Sequence, residues 1–135
     1  MFNIKKICLG LPLLCGALLA QAAPAAPDPI VKSLGTKALP DMAGKEVLML
    51  NVDYPPGTVE HVHRHDAHAF VYVLEGTIIM GLKGGKEVTL KPGDTFYEGP
   101  QDIHTVGRNA SQTKPAKFIV FLLKDHSKPP VIPVP

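Results

Sequence analysis

The chain has 135 residues, with 14 Lys and Arg against 12 Asp and Glu, six His and two Cys, a length that holds one hydrophobic core and little more. Two of the basic residues, Lys5 and Lys6, fall in a segment read below as removable, and without them the remaining chain is near neutral. That balance excludes the electrostatic footprint of a nucleic-acid or anionic-membrane binder.

The N-terminus is basic through Lys6, almost wholly apolar from Ile7 to Ala20, and carries the small-x-small pattern Ala20-Gln21-Ala22. This is the form of a secretory signal over residues 1–22, cleaved after Ala22 or Ala23, which predicts a periplasmic or secreted protein with no membrane contact after cleavage. The apolar run is too short to span a bilayer. Pro12-Leu13-Leu14 before Cys15 lacks the small residues of a lipidation site, so plain cleavage is the preferred reading. Cys8 and Cys15 both leave with the signal, so the mature chain is expected to have neither a disulfide nor a thiolate ligand.

Residues 23–44 begin with alanine and proline and read as a leader and N-terminal arm, with order starting near Ile30. The folded domain is expected over residues 45–125. Lys45 to Asp53 is a first strand, broken by Tyr54-Pro55-Pro56-Gly57. After the histidine-rich stretch come Phe70 to Leu74, then Thr77 to Leu82, with Gly84-Gly85 as a hairpin signal leading into Glu87 to Leu90. Lys91-Pro92-Gly93-Asp94 is a turn, and Thr95 to Glu98 and Asp102 to Val106 are short strands. Lys117 to Lys124 is a continuous apolar run between lysines, which predicts a strand buried on both faces. Short strands at regular turn spacing, with no helical period, predict an all-β sandwich or barrel. Residues 126–135 form a proline-rich tail that cannot be an interior strand; it is expected to fray, the alternative being an arm laid on the partner subunit of a homodimer.

Four of the six histidines, His61, His63, His65 and His68, lie within eight residues. In a strand, His63 and His65 share a face about 6.5 Å apart, a spacing that lets two neutral imidazoles converge on one divalent ion. The run Pro56-Gly57, His63-Arg64-His65 and Tyr72-Val73-Leu74-Glu75-Gly76 resembles the first motif of the cupin family. Leu90-Lys91-Pro92-Gly93-Asp94 with Gly99-Pro100 and Ile103-His104 resembles the second, so the likeness covers about residues 45 to 125. It implies a double-stranded β-helix, or jelly-roll, barrel with His63, His65 and His104 as metal ligands. The pattern is broken at Ala69, where the family carries a glutamate ligand, and Asn109 stands one place later than the usual asparagine. A bulge could turn His68 inward as a fourth nitrogen in place of that carboxylate.

His61 reads as a surface residue, His126 needs no special role, and Arg64 should point away from the ligand face. Tyr72, Tyr97 and Glu98 fit a pocket or a sheet surface equally well, and Glu75 is expected to be solvated. Three neutral ligands with no carboxylate would leave the ion its full charge and make it a strong Lewis acid. Iron, zinc, manganese, nickel and copper all accept imidazole. The leading functional reading is metal-dependent chemistry on a small molecule, dioxygenase-like or otherwise; a non-catalytic ligand-binding or sensor module and a periplasmic metal-handling protein are the alternatives.

Overall fold

The computed structural model describes residues 24–135; the predicted signal segment lies outside them. The described residues form β1 (Ile30–Ala38), β2 (Lys45–Tyr54), β3 (His63–Arg64), β4 (Ala67–Glu75), β5 (Ile78–Leu82), β6 (Val88–Leu90), β7 (Thr95–Glu98), β8 (His104–Asn109), β9 (Ala116–Asp125) and β10 (Ile132–Pro133), with no helix among them. One sheet runs β1-β2-β9-β4-β7 and the other β10-β3-β8-β5-β6, every pair antiparallel. This is the double-stranded β-helix expected from the sequence.

The core lies between the two sheets because each strand alternates its faces. On β4, Ala67, Ala69, Val71 and Val73 are buried, while His68, Phe70, Tyr72 and Leu74 are exposed. β9 follows the same rule, against expectation: Ala116, Phe118, Val120 and Leu122 face inward, but Phe121 is exposed on the other side. The continuous apolar run marks a central strand whose outer face lies open, not one covered on both sides. Lys124, at the end of β9, is buried and its Nζ donates to Glu46 Oε1 at 2.7 Å, which supplies the partner a buried ammonium needs.

Both flanks of the domain carry a strand that the sequence reading did not place, although order begins at Ile30 as expected. The N-terminal arm contains β1, which pairs along β2 from Ile30↔Asp53 to Ala38↔Glu46 as an edge strand exposed throughout. The tail does not fray. Ile132 and Pro133 pair with Arg64 and His63, and Val134 N–H donates to the Val62 carbonyl at 3.3 Å. Proline is admissible there because β10 is an edge and needs donors on one side only.

The histidine run also departs from a single strand. Asp66 has φ 48°, the left-handed region, so the chain turns sharply between β3 and β4. Asn109 anchors the far end of β8, its Nδ2 reaching the carbonyls of Tyr54, Pro55 and Lys114 and its Oδ1 accepting from Ser111 N–H.

Gly76, with φ 72°, turns β4 into β5 beneath the start of β9. A Cβ there would sit 2.5 Å from Pro115 O and 2.8 Å from Ala116 Cα. Gly76→Ala is therefore expected to combine left-handed strain with a backbone clash and to cost about 2–5 kcal/mol. Gly84→Ala, at φ 81° with nothing within 4 Å, should cost only the strain, about 1–2 kcal/mol. Urea unfolding midpoints of the two variants check the ranking, and equal midpoints would refute it.

Candidate metal centre

The fold brings together residues from both sheets. His63 on β3 and His104 on β8 are direct cross-strand partners in one sheet, with ring centroids 4.9 Å apart. His65 follows β3, its ring 4.8 Å from that of His63. Glu98 comes from β7 in the opposite sheet. All four side chains are buried.

Two backbone carbonyls select the tautomer of the neutral imidazoles of His63 and His65. His63 Nδ1 lies 2.9 Å from the His61 carbonyl, and His65 Nδ1 lies 2.6 Å from that of Pro130. A carbonyl only accepts, so each neutral ring carries its proton on Nδ1 and presents a bare lone pair at Nε2. Those two Nε2 atoms face each other at 3.3 Å. Two lone pairs at that distance repel unless a cation lies between them. Burial pushes the His65 pKa down, which disfavours a proton as that cation.

Both carboxyl oxygens of Glu98 border the same space. Glu98 Oε2 lies 3.6 Å from His65 Nε2, and Glu98 Oε1 lies 3.6 Å from His104 Nδ1. Glu98 Oε2 and His104 Nε2 are buried without a hydrogen-bond partner, an expensive condition for a protein interior. Burial, with the charges of Glu60 and Asp102, raises the Glu98 pKa to about 8. Burial and neighbouring His63 lower that of His104 to about 4. Bonds of about 2.0–2.1 Å to a tetrahedral ion imply ligand-to-ligand distances of about 3.4 Å, close to the separations found here. The cluster of buried His and Glu can hold a metal ion.

The carboxylate absent at position 69 thus reappears one strand away. Ala69 and Glu98 are cross-strand partners in the β4–β7 pair, and both are buried on the inner face. The methyl of Ala69 leaves that face open to the longer side chain opposite. The expectation of a carboxylate-free site is corrected accordingly. His68, weighed as a replacement ligand, lies on the outer face: it is exposed, and its Nδ1 sits 2.7 Å from the Tyr97 hydroxyl. There is no bulge at this point of β4; its pairing with β9 stays in register through Val73, and alternation sends residue 68 outward.

A second carboxylate, Glu60, stands beside the cluster with Oε2 3.7 Å from His104 Nδ1. Burial raises its pKa. Gly107 makes room for it, since a Cβ there would collide with Glu60 Oε2 and lie 3.1 Å from the Tyr54 hydroxyl. Tyr54 is fully buried, and burial together with the Glu60 charge lifts its pKa well above the phenol value, so it keeps its proton. Glu60 was not legible as a site residue because it precedes the short strand in a stretch with no clear parity. His61 is exposed and enters the site through its carbonyl, while His126 is exposed and distant in the chain, near Gly44.

The cluster lines a cavity of about 410 Å³ between the sheets, whose remaining wall includes Leu50, Val52, Val71, Met80, Phe118 and Val120. Val131 and Pro133 of the tail, with Asp28, Pro29, Val31, His61 and Val62, complete its lining.

These features define an all-β double-stranded β-helix with a buried histidine and carboxylate cluster at its centre. The family model for the cupin domain matches residues 50–122, more than half of the chain, and the protein belongs to that family. No curated protein matches it. Among solved structures it is similar to the polyketide cyclase RemF from Streptomyces resistomycificus, at 22% identity and TM-score 0.59, covering 82% of this chain and 74% of that one. A cupin domain from Bordetella pertussis is 20% identical with TM-score 0.57, covering 76% of this chain and 99% of its own length. The DMSP lyase DddQ from Ruegeria pomeroyi is 20% identical with TM-score 0.58; the match covers 65% of this chain and spans 43% of the lyase.

Proposed function

We propose that this cupin binds a divalent metal ion through His63, His65, His104 and Glu98 and uses it on a small organic molecule held in the adjoining cavity. The observation that carries this reading is the pair of bare Nε2 lone pairs 3.3 Å apart, each fixed by a carbonyl on the other side of its ring. Lyase, cyclase and oxidase activities are named among the proteins sharing the fold, and a shared fold does not select between them. The basic start and apolar run of the sequence support action outside the cytoplasm.

A bound ion would supply Lewis acidity, polarising an oxygen of the ligand. The chain's own residues supply the rest. His61 and Pro130 carbonyls hold two imidazoles in the ligating tautomer, the apolar wall excludes water, and Glu60 is the carboxylate left free to take or return a proton beside the reacting end. Burial raises its pKa, which favours its holding a proton it can return.

The sign of the pH dependence follows from Glu98. Its carboxyl is mostly protonated below its pKa of about 8, and it must lose that proton to ligate. His104, with a pKa of about 4, is already neutral at pH 7 and releases none. Metal affinity should therefore rise about tenfold per pH unit from pH 6 towards 8 and then level off. Calorimetry in buffers of different ionisation enthalpy should count roughly one proton released per ion at pH 7 in the parent protein and almost none in Glu98→Gln. Elemental analysis finding no bound metal after loading would overturn the proposal.

A further inference from the structure

We infer that the ligand of this cavity has one oxygen-chelating head and an apolar body, and carries no second charged group at its far end. The inference rests on the metal reading above and goes on from the distribution of polarity in the cavity. His63, His65, His104, Glu60 and Glu98 lie together, so a head group that binds the ion is oriented by position alone. Apart from them the wall is mostly hydrocarbon, with Leu50, Val52, Val71, Met80, Phe118 and Val120.

Charge sharpens the assignment. Among the described residues no Lys or Arg lines the cavity; apart from the cluster its polar lining residues are Asp28, which is acidic, and His61, which is exposed. The head of an anionic ligand would meet the ion, whereas a second anionic group would face hydrocarbon or carboxylates, with no Lys or Arg and only the exposed His61 to offset its lost hydration. A cationic far end would meet the same apolar wall, relieved only by Asp28. At about 410 Å³ the space is at the small end of ligand pockets, suited to a compact body such as a short alkyl chain or one aromatic ring.

The experiment holds the head constant and varies the body. Zinc-loaded protein is titrated calorimetrically with acetohydroxamate, butyrohydroxamate, benzohydroxamate and the hydroxamate of succinic acid, which ends in a free carboxylate. Zinc content is measured before and after each titration. Affinity should rise about fourfold per added methylene, and benzohydroxamate should bind at least about tenfold tighter than acetohydroxamate. The carboxylate-ended compound should lose that gain and bind no tighter than acetohydroxamate. With zinc retained, a flat series, or a carboxylate-ended compound that matches butyrohydroxamate, overturns the apolar body. Failure of the protein to take up zinc at all overturns the metal reading beneath it, and with it the chelating head.

Discussion

Glu98→Ala is expected to lower metal affinity by more than the roughly ten- to hundredfold that follows loss of a supporting hydrogen bond, and Ala69→Glu on that background should bring much of it back. The two positions are cross-strand partners on the inner face, so their Cβ atoms lie about 4.5–5.5 Å apart, and a glutamate from either strand reaches the same space. Ala69→Glu alone should do the opposite of a rescue. It would crowd a fully buried position and set a second carboxylate against Glu98, lowering the stability of the metal-free protein. His68→Ala, on the outer face, should leave affinity at the parent value. Calorimetric titration of zinc into the four variants, with unfolding midpoints measured in parallel, checks the set. Parent-like affinity in Glu98→Ala would remove Glu98 from the ligand set, and a folded double variant without recovery would show that the two strands do not reach one point.

The other large effect is expected from the tail. Pro130 accepts the Nδ1 proton of His65, and β10 is a neighbour of the two-residue strand that carries His63. Deleting residues 128–135 should weaken metal binding by about ten- to hundredfold, because His65 loses the partner that fixes its tautomer and orientation. The barrel should survive, since β10 contributes only two paired residues at an edge. Circular dichroism reports the fold and zinc titration reports the site. Unchanged affinity in a folded, shortened chain would mean that His65 is held without the carbonyl.

How much of this could be read beforehand depends on whether a feature is local. The fold class was legible because alternation and turn residues act within a few positions, and Thr95 to Glu98 matches β7 to the residue. His63, His65 and His104 were legible through motif spacing, and the structure brings them together. Glu98 was left between pocket and surface because its meaning depends on register with β4, a strand that is not its chain neighbour. His68 was weighed for the vacancy at Ala69, and the unbroken register of β4 against β9 sends it to the outer face. The tail was misjudged for a related reason. Proline forbids an interior strand but not a short edge, and whether a suitable edge exists is a property of the other end of the fold.

The two-residue strand β3 has a further consequence for how the molecule assembles. Its sheet neighbours, β8 and β10, both lie far along the chain, and none of its ladder contacts is local. Loop closure must be complete before such contacts give any return, which slows folding. The histidine pair is therefore expected to dock late, after the long β2–β9–β4 ladder has set the barrel. Until then those imidazoles are two loose side chains on an open coil, and the ability to hold an ion reports that the whole topology has closed.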